Sequence, residues 1–360
     1  MATLGGPGVR GQRTLNLVAV PSPTSIVDFR SDTVTLPTDE MRQAMAGAEV
    51  GDAVYGEDAT VRALEETTAS IVGTEAAVFV PSGIMANQLA ISLLTEPGDE
   101  ILCDEWAHIR NYELGAASYF SGVSFRTVDN DDGSVRPGDV ERLLGGPASR
   151  PSAVKMVCIE NTQRLGGQRC PPRGDTRVRR RRSWPRSLSP PRRRSLVERG
   201  GSGGGAAPLV RSRCRHHQRV LLQGSGAPVG SALCGSADLI TGARSAQRRF
   251  GGGMRQAGVL AAAALIGLRD RDRLFEDHAK AGDLRSGLSE IFPEAIGGGP
   301  TNMVTLNDDA LPMTGEEFVD RMREQDVLVS LIRPGVVRFV THRDAAVAQA
   351  LSATSGLAGK

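Results

Sequence analysis

Ala76-Ala77-Val78-Phe79-Val80-Pro81-Ser82-Gly83-Ile84-Met85-Ala86-Asn87 reads as a buried strand, a tight turn and the opening of a helix. The apolar run 76–80 suits a short strand covered on both faces, and Pro-Ser-Gly ends it. Helical spacing resumes over 84–94. The alternation continues outward from this stretch. A strand at 100–103 follows the Pro97-Gly98-Asp99 turn, and 123–128 and 153–159 read as further strands. Upstream, 39–48 with Thr38 as its cap and 59–71 read as helices. Strands alternating with helices predict a parallel sheet covered on both faces. Order returns downstream with a strand at 231–234 and an Ala-rich helix at 258–268. Composition shifts after Arg273 toward a smaller unit, with strands near 302–306 and 336–340 and a helix at 316–324.

At 360 residues the chain has room for about two domains. Hydrophobic residues at 40% and charged residues at 23% fit a soluble globular chain. Aromatics are only 4%, so the core must rest on Ala, Val, Leu and Ile. The longest apolar run, 257–268, is twelve residues with Gly inside, well short of the roughly 20 that a membrane-spanning helix needs. A net charge of +2 predicts no strong attraction to nucleic acid or to anionic membranes. Five cysteines without a Cys-x-x-Cys pair predict neither a disulfide framework nor a metal site, and make a reducing cytoplasm the expected location. Residues 1–26 are expected to be a dispensable, disordered tail. They carry Arg10 and Arg13 and no acid, and their apolar run 15–20 is too short for a signal-peptide core.

The small net charge hides a split. Residues 163–219 hold 17 Arg against two acids, Asp175 and Glu198, and lack Ile, Met, Phe, Tyr, Asn and Lys altogether. Neither helical nor strand periodicity can be drawn through them. The stretch 163–225 is expected to be disordered.

Outside it, seven motifs stand in register. They are Asp28-Phe29-Arg30-Ser31-Asp32-Thr33-Val34-Thr35, Gly51-Asp52-Ala53-Val54-Tyr55-Gly56-Glu57-Asp58, Pro81-Ser82-Gly83-Ile84-Met85-Ala86-Asn87 and Ile159-Glu160-Asn161-Thr162, then Gly226-Ala227-Pro228-Val229-Gly230-Ser231, Gly251-Gly252-Gly253-Met254-Arg255-Gln256 and Arg338-Phe339-Val340-Thr341-His342. Together they resemble the low-specificity L-threonine aldolases, members of the fold-type-I enzymes that use pyridoxal 5'-phosphate. The resemblance covers roughly 27–162 and 226–345. It implies an α/β fold: a three-layer α/β/α large domain with a mostly parallel sheet (27–274) and a small C-terminal α/β domain (275–360). It further implies a homo-oligomer, dimer or tetramer, that cleaves L-threonine or L-allo-threonine to glycine and acetaldehyde, with a related β-eliminating amino-acid lyase as the alternative.

The resemblance also assigns residues. Ser82, Gly83 and Ile84 fall on the family's phosphate-binding turn, where helix N-terminal amides suit a dianion. The family often has Thr in place of Ile84, so one hydroxyl contact is missing. Arg255 falls near the phosphate. His108 matches the histidine that stacks on the pyridine ring and assists proton transfer, both within the reach of an imidazole. Ser31 and Arg338 match groups that hold the substrate carboxylate, a task suited to the planar guanidinium fork. Tyr55 matches a pocket tyrosine.

The chain departs from the family at its centre. Where the family has Ser-Lys-Gly-Leu, with the Schiff-base lysine, residues 222–225 read Leu-Gln-Gly-Ser, so Gln223 takes the lysine's place. The only lysines are Lys155, Lys280 and Lys360, and none is near the motif in sequence. The family's Asp-Gly-Ala-Arg, which supplies the pyridine-nitrogen Asp and a carboxylate-binding Arg, is absent, and a second family histidine is Gln163. A reading-frame slip accounts for all of these. C TCC AAG GGT CTC encodes Ser-Lys-Gly-Leu in one frame and, one base early, Leu-Gln-Gly-Ser, the sequence of 222–225. C CAC CTC GAC GGC GCT CG encodes His-Leu-Asp-Gly-Ala-Arg and, in the same early frame, Pro-Pro-Arg-Arg-Arg-Ser, the sequence of 190–195. The rival readings are an Arg-rich nucleic-acid-binding insert and a catalytically dead structural homologue.

Overall fold

The computed structural model describes residues 26–130, 133–144, 154–161, 195–200, 216–220, 224–299 and 301–358. The chain enters through a two-residue strand, β1 (Val27–Asp28). It then builds a seven-stranded sheet from β2 (Ala76–Val80), β3 (Glu100–Asp104), β4 (Ser124–Val128), β5 (Val154–Asn161), β6 (Ser195–Gly200), β7 (His216–Val220) and β8 (Ser231–Gly235). Their order in space is β2-β8-β7-β6-β5-β3-β4, and only β8 runs against the rest. A mostly parallel sheet is what the alternation of strands and helices predicts.

Alternate strand residues feed two layers. On one face Val78, Val80, Ile101, Cys103, Met156 and Leu233 pack with Leu89 and Ile91 of helix Gly83–Leu94 and Ile240 of helix Ala237–Arg249. On the other, Ala77, Phe79, Ala232 and Cys234 pack with Val61 and Leu64 of helix Ala59–Val72 and Ala261 and Ala264 of helix Gly258–Arg269. The core is rich in Ala, as the scarcity of aromatics requires. Close approach matters at Gly230, which has φ +118° and where a Cβ would lie 2.3 Å from the Phe79 ring.

Two expectations are corrected. The stretch 163–225 is not wholly without regular structure, since β6 and β7 lie within it and fill the sheet between β5 and β8. The physical reason is that strand pairing runs through the backbone, so an extended segment can satisfy the inner edges of β5 and β8 whatever its side chains. The second concerns residue 27 as the start of the large domain. β1 instead pairs with β11 (Val327–Leu328), and Val27 and Phe29 sit in the C-terminal core, with Phe29 edge-on to Phe339 at 5.8 Å. The expected tail, 1–25, lies outside the described residues.

The C-terminal unit holds β9 (Ile296–Gly297), β10 (Met303–Asn307), β12 (Ser330–Arg333) and β13 (Val336–Val340) in the order β12-β13-β10-β9, with helices Leu274–Ile291, Gly315–Glu324 and Val347–Ala358. No helix among the described residues is long and apolar enough to cross a membrane.

Two carboxylates stand out in the packing. Asp58 is buried and serves two helices at once: Oδ1 accepts from Val61 N at 2.8 Å, and Oδ2 accepts from Gly258 N at 2.9 Å and Gly51 N at 3.3 Å. Gly258 leaves the space for this, since a Cβ there would lie 2.6 Å from Asp58 Oδ1. Asp277, at the domain junction, is also buried. Desolvation pushes its carboxyl up to about 6, against the opposing pull of Arg273, Lys280 and His342.

Loss of both caps in Asp58→Ala should cost roughly 1–4 kcal/mol of stability. Asp58→Asn, which keeps one acceptor, should cost less, and denaturant unfolding gives the ranking. For Asp277, an unfolded carboxyl titrates near about 4. Between there and about 6 the folded chain holds a proton that the unfolded chain has released, so stability falls as pH rises through that window. Thermal melts should show Asp277→Asn matching the parent near pH ~4 and exceeding it by a few degrees above pH ~6.

Candidate active site

β2 ends at the carboxyl edge of the sheet, and the chain turns there into helix Gly83–Leu94. Ser82 is the N-cap, its Oγ accepting from Met85 N at 3.1 Å. First-turn amides of a helix have no intrahelical acceptor and carry the positive end of its dipole, so the turn of Ser82, Gly83 and Ile84 suits a phosphate. The glycine loop before Arg255 packs on this turn: a Cβ at Gly252 would lie 2.2 Å from Met85 Sδ. Arg255 pairs with Asp52 at 2.8 Å, a hydrogen bond that raises its pKa, and its guanidinium lies 5.6 Å from the Tyr55 ring centroid. Tyr55 is 74% exposed and lies on the surface of the chain beside Arg255.

His108 opens the short helix His108–Asn111 after β3. Its backbone N donates to Glu160 Oε1 at 2.5 Å, and its Nδ1 lies 2.8 Å from Glu113 Oε1. Asn87 Nδ2 and Gln88 Nε2 donate to the two oxygens of Glu113 at 2.5 and 2.7 Å. Glu113, Asn87 and Gln88 are all buried. The helix that begins at Gly83 is thereby tied to the histidine.

Ser31 and Arg338 meet at the domain junction. Ser31 caps the short turn Asp32–Val34, its Oγ accepting from Thr33 N at 3.2 Å and Thr33 Oγ1 at 2.8 Å. Arg338, buried on β13, donates from Nη2 to Arg30 O at 3.1 Å, one residue from Ser31. Tyr112 reaches from the His108 turn to the small domain, donating to Ile332 O at 3.1 Å. The structure therefore links His108 to helix Gly83–Leu94 on one side and, through Tyr112, to the strand Ser330–Arg333 on the other.

Gln223 and Gln163, like most of the segment in which the family's Asp and Arg are missing, lie outside the described residues. Gly224 is described. It is anchored at the junction, with its N 3.5 Å from Asp32 O and its carbonyl accepting from Arg273 Nη2 at 2.6 Å. The residues present fit pyridoxal phosphate on its non-covalent side, because Gly252 and Met85 close a loop over a capped helix N-terminus beside a carboxylate-bound imidazole. The lysine that would hold it covalently is absent from the sequence at 223.

Sequence reading gave no role to Asn87, Gln88 or Glu113 as a set. The signal was two adjacent amides inside an otherwise apolar helical run, Ile84-Met85-Ala86-Asn87-Gln88-Leu89-Ala90-Ile91.

A profile of the family described as beta-eliminating lyase matches residues 28–179 and 220–307. A probable low-specificity L-threonine aldolase 2 of Arabidopsis thaliana is 38% identical over 333 residues, spanning 89% of this chain and 94% of the relative. A low specificity L-threonine aldolase of Escherichia coli is 32% identical over 330 residues, spanning 89% and 94%. Among solved structures, a threonine aldolase of Leishmania major superimposes with a TM-score of 0.73 at 17% identity, covering 92% of this chain and 98% of that one. The fold is that of the fold-type-I pyridoxal phosphate enzymes.

Proposed function

The chain belongs to the beta-eliminating lyase family, and from that premise we propose that it carries the frame of an L-threonine or L-allo-threonine aldolase without the means to attach its cofactor. The observation that carries the reading is that Glu113 ties the helix capped by Ser82 to His108, while Tyr112, from the same turn, bonds Ile332 O on β12, the strand paired with the one that carries Arg338. Ser82, Gly83 and Ile84 hold a phosphate with their turn, and Arg255 adds positive charge beside it. When bound, pyridoxal phosphate supplies an electron sink for cleavage of the Cα–Cβ bond. His108 covers the ring and accepts the β-hydroxyl proton at Nε2. Arg338 and Ser31 hold the substrate carboxylate, which fixes the bond to be broken relative to the ring.

The working assembly is a homo-oligomer, dimer or tetramer, in the cytoplasm. Exposed Tyr55, Leu114, Tyr119 and Phe120 support an apolar contact with a partner copy, and the free thiols of Cys103, Cys158 and Cys234 support a reducing compartment. Tyr55 and Arg255 stand at the surface as residues that approach substrate across such a contact. Nucleic acid is not a partner in this reading.

Without a lysine at 223, the chain as it stands should be inactive. Borohydride treatment with pyridoxal phosphate should add no cofactor mass near 223, and threonine should release no acetaldehyde. Cofactor mass on a 223-containing peptide together with acetaldehyde release would overturn this. Resequencing the gene across the codons for Lys155 to Gly235 should show one base gained and another lost. An intact frame would instead leave a noncatalytic protein.

A further inference from the structure

Glu113, five residues after His108, leads straight into a turn that the chain adopts at some cost. Leu114 has φ +53°, a left-handed conformation that β-carbon-bearing residues disfavour, and its side chain is 99% exposed. Gly115 follows at φ +75°. Within the single chain the Leu114 side chain stands clear of the core and offsets none of this strain. What the turn achieves is to send Glu113 inward while its neighbour points to solvent. Strain that persists is held in place by its surroundings, and here the surroundings are three hydrogen bonds to one carboxylate.

Those bonds fix a protonation pattern. Asn87 Nδ2 and Gln88 Nε2 can only donate, and they reach Oε1 and Oε2 of Glu113 at 2.5 and 2.7 Å. Both carboxylate oxygens of Glu113 therefore act as acceptors. His108 Nδ1, 2.8 Å from Oε1, must then be the donor in the third bond. We infer that Glu113 is a positioning residue that locks His108 in the Nδ1–H tautomer, so that Nε2 is the basic nitrogen at the candidate site. Its use in cleavage rests on the proposed function, but the lock itself does not.

Among the described residues, four other groups near His108 are engaged or neutral. Glu160, on β5, takes the His108 backbone N–H at 2.5 Å. The Tyr112 ring lies 5.6 Å from the imidazole, and its hydroxyl is committed to Ile332 O. Cys103 and Cys158 lie beneath, their thiols pushed far up by burial and by the neighbouring carboxylates, and stay neutral. Glu113 is the charge in contact with the ring nitrogen. It orients the ring through the same bond that fixes the tautomer.

The test is long-range 1H–15N correlation on the full chain labelled with 15N-histidine. The chain has five histidines, and His108 is assigned by the signal lost in His108→Gln. The expected pattern above the titration midpoint is a protonated Nδ1 and a pyridine-like Nε2. Glu113→Gln should mix the tautomers, while Glu113→Asp, which keeps an anionic acceptor, should restore most of the Nδ1–H form. A protonated Nε2 in the parent chain, or an unmixed Nδ1–H tautomer in folded Glu113→Gln, overturns the inference. The parent tautomer decides the matter even if Glu113→Gln does not fold. Addition of pyridoxal phosphate then tests the proposed function separately: a shift of the His108 signals supports the ring-facing role, and no shift removes that role while leaving the tautomer lock standing.

Discussion

The sheet of the large domain cannot be left open between β5 and β8. Met156 to Asn161 on β5 pair with β6, and His217 to Val220 on β7 pair with Ser231 to Cys234 on β8. Removal of the two middle strands would strand these backbone groups in the interior, at roughly 1–3 kcal/mol for each one left unpaired. It would also split the carboxyl edge of the sheet, where β2 delivers Ser82 and β5 delivers Glu160 to His108. Every site residue of the large domain depends on this sheet being continuous. The chain meets that need with β6 and β7, drawn from the stretch least like the rest in composition. Backbone pairing tolerates that composition, whereas catalytic chemistry does not, so a fold can persist where a reaction cannot.

A second constraint organises the ends of the helices. The motif Gly51 to Asp58 looks catalytic in its density of polar and glycine residues, yet much of it is architecture. Asp58 serves the first turns of helices Ala59–Val72 and Gly258–Arg269 together. Asp52 orders the turn of Val54 and Tyr55 through Oδ1 and holds Arg255 through Oδ2. Gly258 is glycine because Asp58 fills the space its side chain would need. The motif fixes where the Arg255 loop lands on the turn at Ser82, and so supports the candidate site from behind.

Local signals in the sequence carried the elements whose causes are local. Thr38 does cap helix Asp39–Ala46, accepting from Met41 N at 3.1 Å, and 76–80 is the strand its apolar run predicts. Helix Ala237–Arg249 carried its own signals, with Ser236 as cap, Asp238 in its first turn and Arg248 and Arg249 in its last, but its buried residues include only one large one, Ile240. Small apolar residues leave a faint periodicity. β6 and β7 were illegible because the pattern that marks a strand is a side-chain pattern, and their pairing lies in the backbone. The Glu113 cluster was illegible for a different reason. Positions 87, 88, 108 and 113 meet only through tertiary contacts, so no window of sequence contains the geometry that gives the carboxylate its role. Pairing of β1 with β11, across the whole chain, is the extreme case.

The distribution of what is missing is itself informative. The site is assembled from places far apart in sequence: Ser31 and Ser82 near the start, His108 and Glu113 in the middle, Arg255 and Arg338 toward the end. A chain released from catalytic duty would be expected to lose such residues piecemeal, in no particular sequence order. The losses here are instead contiguous in sequence: the histidine place at 163, the Asp-Gly-Ala-Arg stretch and the lysine place at 223. On either side, hydrogen bonds that serve the site are intact, from Glu160 to the His108 amide before the stretch and from Arg273 to Gly224 just after it. Damage that is continuous along the chain is the pattern that the proposed reading-frame slip would leave. Changes in the demands on the folded site would leave the opposite pattern, and the one-base displacement that turns Ser-Lys-Gly-Leu into Leu-Gln-Gly-Ser is a cause of the required kind.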